Sequence, residues 1–308
     1  MTMDRFRQIL LDTFGAGEML SPPYVLAFVG LAWLIYLVRR EKGGFLPWLF
    51  PARLWMHKST SADFWLFVMG RLLSVAGLFS RFGVAPLVSV WIAGLISSVT
   101  GADTGLAPGL GPMSLALLLW VIVDFAAYWS HRLLHATSVI WPLHAVHHSA
   151  EVLTPLTAYR QHPLALIVGT SISTCIVGVA LGVIVGVISP DTPIAELVGV
   201  NAFVVVANLT VANFHHAHIW ISFGPVLERV FISPAQHYIH HSTKPAHFNR
   251  NYGHILAIWD WMVCTLYITR DREDLSFGLD GPNEAPLMSH RLGPILIDPL
   301  SRMFFPAR

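Results

Sequence analysis

The sequence predicts an all-α, polytopic integral membrane protein, on the basis of its composition, its apolar runs and the placement of its charges. Of the 308 residues, 54% are hydrophobic and only 12% are charged. Soluble domains carry about twice that share of charge, so a water-soluble globule of this size would lack polar residues for its surface. The net charge of +1 also provides no electrostatic footprint for nucleic acid.

Apolar runs mark the predicted helices in chain order. They cover 23–38, 64–79, 84–100, 113–130, 164–188 and 194–214, with a Gly/Pro-rich loop at 101–112 and a turn at 189–191. A membrane-spanning helix needs roughly 17–25 residues. The run at 64–79 is short and carries Arg71, so we expect it to lie in the interface with Arg71 reaching water. The remaining runs predict about four to five transmembrane helices.

Basic residues orient the predicted helices. Arg39, Arg40 and Lys42 follow the first run, and a basic cluster directly after a span marks the cytoplasmic side. With 64–79 in the interface, the histidine-rich stretches 131–162 and 215–241 both emerge on the cytoplasmic face. No internal repeat is present, so we expect one membrane domain covering 1–308.

Histidine is the unusual feature of the composition. The chain has 16 histidines beside 19 basic and 18 acidic residues, and most of them fall between 131 and 241. Two histidines one helical turn apart can bind the same metal ion, and an HxxxH pair and two HxxHH strings have this spacing, each on one predicted helical face. These boxes contain His131, His135, His144, His147, His148, His237, His240 and His241.

A fourth cluster, at 213–218, contributes His215, His216 and His218. Eight to ten imidazoles exceed what one ion accepts, so we infer two metal ions under a cytoplasmic histidine-rich cap. Isolated histidines, by contrast, are usually solvated or hydrogen-bonded, and we expect this of His57, His247 and His290.

Ligand type alone does not separate iron, zinc, copper and nickel. A zinc protease would need HExxH and a serine hydrolase GxSxG, and neither string is present. A bis-histidine haem protein does not require HxxHH strings, so it is disfavoured.

Several polar residues are predicted to support the metal ligands. Asp124 lies on the same helical stripe as Tyr128 and the HxxxH pair. Because a buried carboxylate can accept an imidazole N–H and fix the ring tautomer, Asp124 and Asp260 are expected to orient ligand imidazoles, with capping of a local turn as an equal alternative for Asp260. Arg160 is expected to bind a polar head group or to pair with an Asp or with Glu151, and Asn251 to fix the loop after the last box.

In these ordered boxes the chain resembles the fatty acid hydroxylase/sterol desaturase family of membrane di-iron oxygenases. Further segments resemble family motifs, and the similar region covers about 113–267. These segments are Thr157–Pro163, Phe214–Ala217, Ser233–His237, Asn251–Gly253 and Trp259–Asp260. Two departures are the cluster at 215–218, in which position 216 aligns best, and the closing segment 262–265.

The resemblance implies a catalytic region at 113–267 with two iron ions and O2 as co-substrate. The implied ligands are the eight box histidines and His216, with His162, His215 and His218 as less certain ones. Electrons would come ultimately from NAD(P)H through cytochrome b5, ferredoxin or a reductase, because the chain has no Rossmann fingerprint and no iron–sulfur ligand motif.

The expected reaction is hydroxylation of a C–H bond in a membrane lipid such as a sterol or a fatty acyl chain. Desaturation by the same family chemistry is the alternative. A histidine-rich metal-binding or transport protein is the alternative of another class, although a transporter would place its ligands near the bilayer midplane. We expect the bacterial inner membrane, or otherwise the endoplasmic reticulum.

Overall fold

The computed structural model describes residues 7, 10, 13–14, 18–79, 82–101, 111–187 and 202–305. These ranges are helical and contain no β-strand, only two isolated bridge pairs. The helical fold class is therefore confirmed. The helices are α1 (Pro22–Val38), α2 (Phe45–Leu49), α3 (Ala52–Trp55), α4 (Lys58–Val75), α5 (Ala85–Thr100), α6 (Pro112–Ala136), α7 (Trp141–His148), α8 (Pro163–Val187), α9 (Ala202–Thr210), α10 (Gly224–Leu227), α11 (Pro234–His240), α12 (Ile258–Met262), α13 (Ala285–Met288) and α14 (Leu292–Phe304).

Two helices, α6 and α8, are long and apolar enough to cross a membrane. The helices α1 and α5 are also apolar but have only 17 and 16 residues. The turn at 189–191 and the first half of the run at 194–214 lie outside the described residues, and α9 covers part of the second half. The count of four to five spans remains a prediction.

Glycines bring α8 directly against α5. Gly178, Gly182 and Gly186 follow one another at intervals of four and face α5. A Cβ atom added at Gly182 would lie 2.6 Å from the Cβ of Ile92 and 2.7 Å from the carbonyl oxygen of Ser89. Small residues at this spacing let helix backbones approach closely, as in membrane helix pairs.

The segment predicted to lie in the interface forms the C-terminal part of α4. This helix ends at Val75, before the end of the apolar run at 79. Arg71 donates a hydrogen bond to Glu18 at 3.0 Å and lies over the ring of Tyr159. Arg71 is therefore ion-paired within the chain.

Three helical segments bring the histidine boxes together. The helix α6 continues to Ala136, beyond the apolar run, and a short turn then leads into α7. The start of α11 is fixed by a capping box, in which Ser233 accepts from the N–H of Gln236 at 3.2 Å and Gln236 accepts from the N–H of Ser233 at 2.9 Å. All three boxes are thus held on helices whose ends meet.

Candidate metal centre

The histidines of the distant boxes converge into two groups. In each group, one ring nitrogen from every member lies within 4.8 Å of those of the others. Site A contains His131, His135, His144, His148 and His240, and site B contains His147, His216, His237 and His241. These are the nine histidines that the sequence predicts as ligands.

Each HxxHH box is divided between the two sites, although its spacing suggested one common face. On α7, His144 and His148 contribute to site A, whereas His147 contributes to site B. The second box, on α11, is divided in the opposite sense. His237 and His241 contribute to site B, whereas His240 contributes to site A. Both α7 and α11 therefore run between the two sites and link them.

Site A has buried ring nitrogens that lack any hydrogen-bond partner. They are Nε2 of His135, Nε2 of His148, Nε2 of His240 and both ring nitrogens of His144. Leaving a buried polar atom unpaired costs about 1–3 kcal/mol. Several such nitrogens within reach of one another fit a bound cation, which imidazole nitrogens coordinate well.

Site B has ring nitrogens that face one another directly. The distances join Nε2 atoms. His216 lies 3.3 Å from His147 and 2.9 Å from His237 by this measure, and His237 lies 3.2 Å from His241. Ligands bound at about 2.0–2.1 Å are roughly 2.9 Å apart in cis octahedral geometry and about 3.4 Å apart in a tetrahedron. The observed separations fit four ligands of one ion.

The two sites are adjacent. The rings of His148 and His241 stack across the boundary with centroids 4.6 Å apart, and His144 lies 5.4 Å from His147 by the same measure. Such proximity suits a dinuclear centre in which both ions face the same reactant.

Burial keeps the imidazoles outside the membrane-spanning segment neutral. It lowers the pKa of His147 to about 3, and neighbouring imidazoles add to this effect. Burial likewise lowers the pKa values of His144, His148, His216, His237, His240 and His241 well below the usual value. A metal ion needs neutral imidazole ligands, so the site is prepared for binding near neutral pH.

Backbone carbonyls orient the ligand rings of site A. His131 donates from Nδ1 to the carbonyl of Tyr252 at 2.9 Å, and His240 donates from Nδ1 to the carbonyl of Arg250 at 2.8 Å. Between these two residues, Asn251 has a φ of 55°, a left-handed conformation that Asn tolerates better than most residues. One tripeptide thus leaves Nε2 of both histidines free for metal.

Asp124 does not contact a ligand imidazole, contrary to expectation. Its carboxylate accepts from the backbone N–H groups of Ile255 at 3.0 Å and Leu256 at 3.2 Å. It also accepts from the indole N–H of Trp259 at 2.8 Å. Asp124 therefore anchors the loop after the last box to α6, and the spacing along α6 could not reveal this loop.

Asp260 has a related role in the same loop. It accepts from the N–H groups of Tyr252 at 2.9 Å and Gly253 at 2.7 Å, and from the hydroxyl of Thr265 at 2.6 Å. Because the carbonyl of Tyr252 binds His131, Asp260 acts on a ligand through the backbone. Tyr128 completes this region, with its hydroxyl 3.2 Å from that of Thr265.

The loop is also tied to α11 through Asn251. Its side-chain amide donates to the carbonyl of Gln236 at 3.1 Å and accepts from the N–H of Tyr267 at 2.7 Å. These bonds hold the tripeptide against the helix that carries the second HxxHH box.

Arg160 lies in a fully buried polar network beside site B. Its guanidinium donates to Asp63 at 2.8 Å, to the carbonyl of Val146 at 2.8 Å and to the hydroxyl of Ser149 at 2.8 Å. Its own carbonyl accepts from Nδ1 of His147 at 3.3 Å. Arg160 therefore pairs with an acidic residue, Asp63 of α4, and supports a ligand of site B.

Sequence reasoning missed two members of this network. Asp63 could have been found from the sequence, because it is a carboxylate at the edge of an apolar run. His290, expected to be solvated or hydrogen-bonded, is buried and hydrogen-bonded, and it joins Arg160 at 2.9 Å to Glu151 at 2.7 Å. Nothing in its local sequence indicates this contact.

The three less certain ligands lie outside both sites. His162 accepts from the N–H of Leu164 at 3.1 Å and contacts the carbonyl of Leu296 at 3.1 Å, so both ring nitrogens are engaged. His218 contacts the carbonyl of Trp48 at 2.8 Å.

His215 stacks on His237 with centroids 5.2 Å apart, and its Nε2 lies 3.4 Å from the carbonyl of Ile232. Burial lowers the pKa of His215 to about 3. It therefore packs behind a site B ligand as a neutral ring.

The other isolated histidines have structural partners. His57 caps α4 by accepting from the N–H of Ser59 at 3.2 Å. His247, which was expected to be solvated or hydrogen-bonded, is buried and lies 3.3 Å from its partner Glu273.

A cavity of about 720 Å³ opens onto the metal centre. Its buried lining includes His148, His240 and His241, and its apolar walls include Trp141 and Leu279. Ligand cavities of about 300–1,000 Å³ hold most of a small molecule. The arrangement therefore provides a chamber in which one compound reaches both sites.

Comparisons with known proteins agree with the geometry. The sequence profile of the fatty acid hydroxylase family matches residues 116–265. An alkylglycerol monooxygenase from Danio rerio is 31% identical over 54% of this chain and 33% of its own length. The ornithine lipid hydroxylase OlsE from Rhizobium tropici is 30% identical over 56% of this chain and 48% of its own length.

More distant similarity extends to a very-long-chain aldehyde decarbonylase, GL1-5, from Oryza sativa subsp. indica, which is 26% identical over 49% of this chain and 23% of its own length. The chain thus spans between 23% and 48% of the length of these relatives. No solved structure matches. All nine histidines of sites A and B fall within the region that matches the profile of the fatty acid hydroxylase family.

Proposed function

We propose that this protein is a membrane-bound di-iron oxygenase that hydroxylates a C–H bond of a membrane lipid. The observation that supports this best is the pair of adjacent buried histidine sites with unpaired ring nitrogens beside a cavity of about 720 Å³. Relatives named as an alkylglycerol monooxygenase and an ornithine lipid hydroxylase support a lipid substrate.

Two iron ions, when bound by the nine histidines, supply the chemistry of O2 reduction and C–H oxidation. The protein's own residues hold and orient this centre. His131, His147 and His240 each donate an Nδ1–H to a backbone carbonyl, so their Nε2 atoms face the site. The apolar walls of the cavity, including Trp141, exclude water and present a substrate carbon to the centre.

The membrane placement is part of the proposal. Helices α6 and α8 cross the bilayer, assisted by the shorter apolar helices, and the metal centre lies where α6 leaves the lipid. Arg39 and Arg40, just after α1, support a cytoplasmic location of that face, in a bacterial inner membrane or otherwise in the endoplasmic reticulum. There an external ferredoxin, cytochrome b5 or reductase supplies electrons that originate from NAD(P)H.

Histidines at helix ends disfavour a transport function, because a transported ion needs a path near the bilayer midplane. They do not distinguish hydroxylation from desaturation. Lipid mass spectrometry of cells with and without the gene makes that distinction. We expect a product heavier by one oxygen, whereas a product lighter by two hydrogens would show a desaturase.

Metal analysis of purified variants tests the centre itself. We expect two irons per chain in the native protein, one in His147→Ala, and two in the matched control His218→Ala, whose half-buried ring lies outside both sites. His147→Ala should also abolish substrate-dependent O2 uptake. Normal iron content and turnover in His147→Ala would refute the ligand assignment, and freely exchanging zinc or copper without O2 uptake would favour a metal-binding protein.

A further inference from the structure

The outer end of the cavity carries both polar and apolar side chains. Its exposed lining residues are Ala136, Ser138, Pro245, Phe248, Asn249 and Asp280. None of the lining residues is Lys or Arg, whereas Asp280 and Glu284 are acidic. The mouth therefore offers hydrogen-bonding and acidic groups beside apolar ones.

The two acidic groups differ in their availability. Glu284 accepts two hydrogen bonds from Arg302, at 2.8 and 2.9 Å, which neutralise its charge. Asp280 is exposed and has no hydrogen bond or ion pair to any residue that the structure describes. The carboxylate of Asp280 is thus the free charge of the cavity mouth.

Backbone pairing fixes Asp280 in this position. The N–H of Thr243 donates to the carbonyl of Ser276 at 2.9 Å, directly after the last box. Gly278 then turns with a φ of 109°, and an added Cβ there would meet the Met288 side chain at 2.7 Å. The segment that carries Asp280 is therefore held against the metal centre by a turn that requires glycine.

This segment lies beyond the part of the chain that matches the family profile, which ends at 265. The metal ligands and the cavity mouth thus come from different parts of the sequence. A part that is separate from the chemistry is well placed to determine which substrate enters.

We propose that Asp280 selects lipids whose head group donates hydrogen bonds and carries no net negative charge, such as a polyol or an amine. The apolar chain of the lipid then extends toward site A and its head group stays at the mouth. This inference rests on the proposed lipid substrate. An isolated carboxylate attracts an ammonium and repels a carboxylate, while it accepts hydrogen bonds from hydroxyls.

Equilibrium binding of three probes with the same saturated C16 chain tests the proposal. The probes are hexadecylamine, 1-O-hexadecylglycerol and palmitate, each radiolabelled and measured with the purified full-length protein in nanodiscs of neutral lipid. We expect the native protein to bind the amine and the glycerol ether at least about tenfold more tightly than palmitate. Asp280→Lys should weaken amine binding about tenfold and strengthen palmitate binding.

Asp274→Lys is the matched control, because it makes the same charge change at an exposed position of the same segment outside the cavity lining. It should keep the native order of affinities. An Asp280→Lys variant with unchanged affinities, or one indistinguishable from Asp274→Lys, would overturn the selection by Asp280. Preference of the native protein for palmitate, or binding of none of the probes, would overturn it as well.

These measurements require neither bound iron nor turnover, so they are independent of the metal and product analyses. Two irons and an oxygenated product, together with unchanged probe affinities in Asp280→Lys, would refute only the inference about the cavity mouth. Selective probe binding without O2 uptake under any electron donor would instead refute the proposed oxygenase.

Discussion

Replacing Asp63 with leucine tests whether the buried ion pair beside site B stabilises the fold and a metal ligand together. The side chains of Asp63 and Arg160 are fully buried. Besides its bond to Arg160, the Asp63 carboxylate accepts from the hydroxyl of Thr157 at 2.7 Å. Asp63→Leu would leave a buried guanidinium without its counter-charge, which costs about 3–5 kcal/mol.

The neutral acceptors that remain place the expected loss in unfolding free energy near the lower end of that range. They are the carbonyls of Val146 and Ser59 and the hydroxyl of Ser149. Because the carbonyl of Arg160 accepts from His147, site B should also lose about 10–100-fold in metal affinity, while site A changes less. Unfolding in detergent micelles and a chelator titration of bound metal measure the two effects.

Two further variants make the result decisive. Lys244→Met breaks the exposed pair with Glu273, at 3.1 Å, and should cost less than about 1 kcal/mol. Asp63→Leu combined with Arg160→Met removes both charges and should be more stable than Asp63→Leu alone. If Asp63→Leu costs no more than Lys244→Met, or if the double variant equals the sum of its single changes, the buried pair does not act as described.

Three other predictions concern the helix pair, the loop and pH. Gly182→Ala should destabilise the protein by about 1–3 kcal/mol. In the control Gly94→Ala, on the facing helix, the added Cβ meets nothing within 4 Å, so the thermal midpoint should not fall. Equal midpoints of the two variants would refute the close packing. Asp260→Asn should weaken metal retention about 10–100-fold in a chelator titration. The change weakens the hydrogen bond from the N–H of Tyr252, whose carbonyl orients His131. Unchanged metal affinity would show that Asp260 stabilises only the loop. Burial lowers the pKa values of the site histidines. Below about pH 6.5 the unfolded chain therefore binds more protons than the folded one, and the metal-free protein should lose stability. Coincident unfolding midpoints at about pH 5.5 and 7.5 would contradict this.

Local spacing was sufficient to identify eight of the nine histidines that meet, whereas His216 was selected by the family resemblance. HxxxH and HxxHH strings encode neighbours on a helix, and helix geometry follows from the chain itself. The division of each box between two sites was not predictable in this way. It depends on where α6 and α11 lie relative to α7, and so on tertiary packing.

The supporting residues were harder to predict than the ligands. Asp124 was identified as functional because it shares a helical stripe with the HxxxH pair. Its partners are instead two backbone N–H groups and an indole, which lie 131, 132 and 135 residues away along the chain. Asp63 and Arg160 are separated by 97 residues. Spacing along one helix carries no information about such distant contacts, so the wrong partner was assigned to Asp124 and the partner of Arg160 was missed.

The carbonyls of Arg160, Arg250 and Tyr252 have a consequence for how this metal centre is studied. An alanine scan keeps every peptide group and would leave these three acceptors in place, so it would not report their own contribution. Replacing single amide linkages by esters, which weakens the carbonyl as an acceptor, is the experiment that would reveal it.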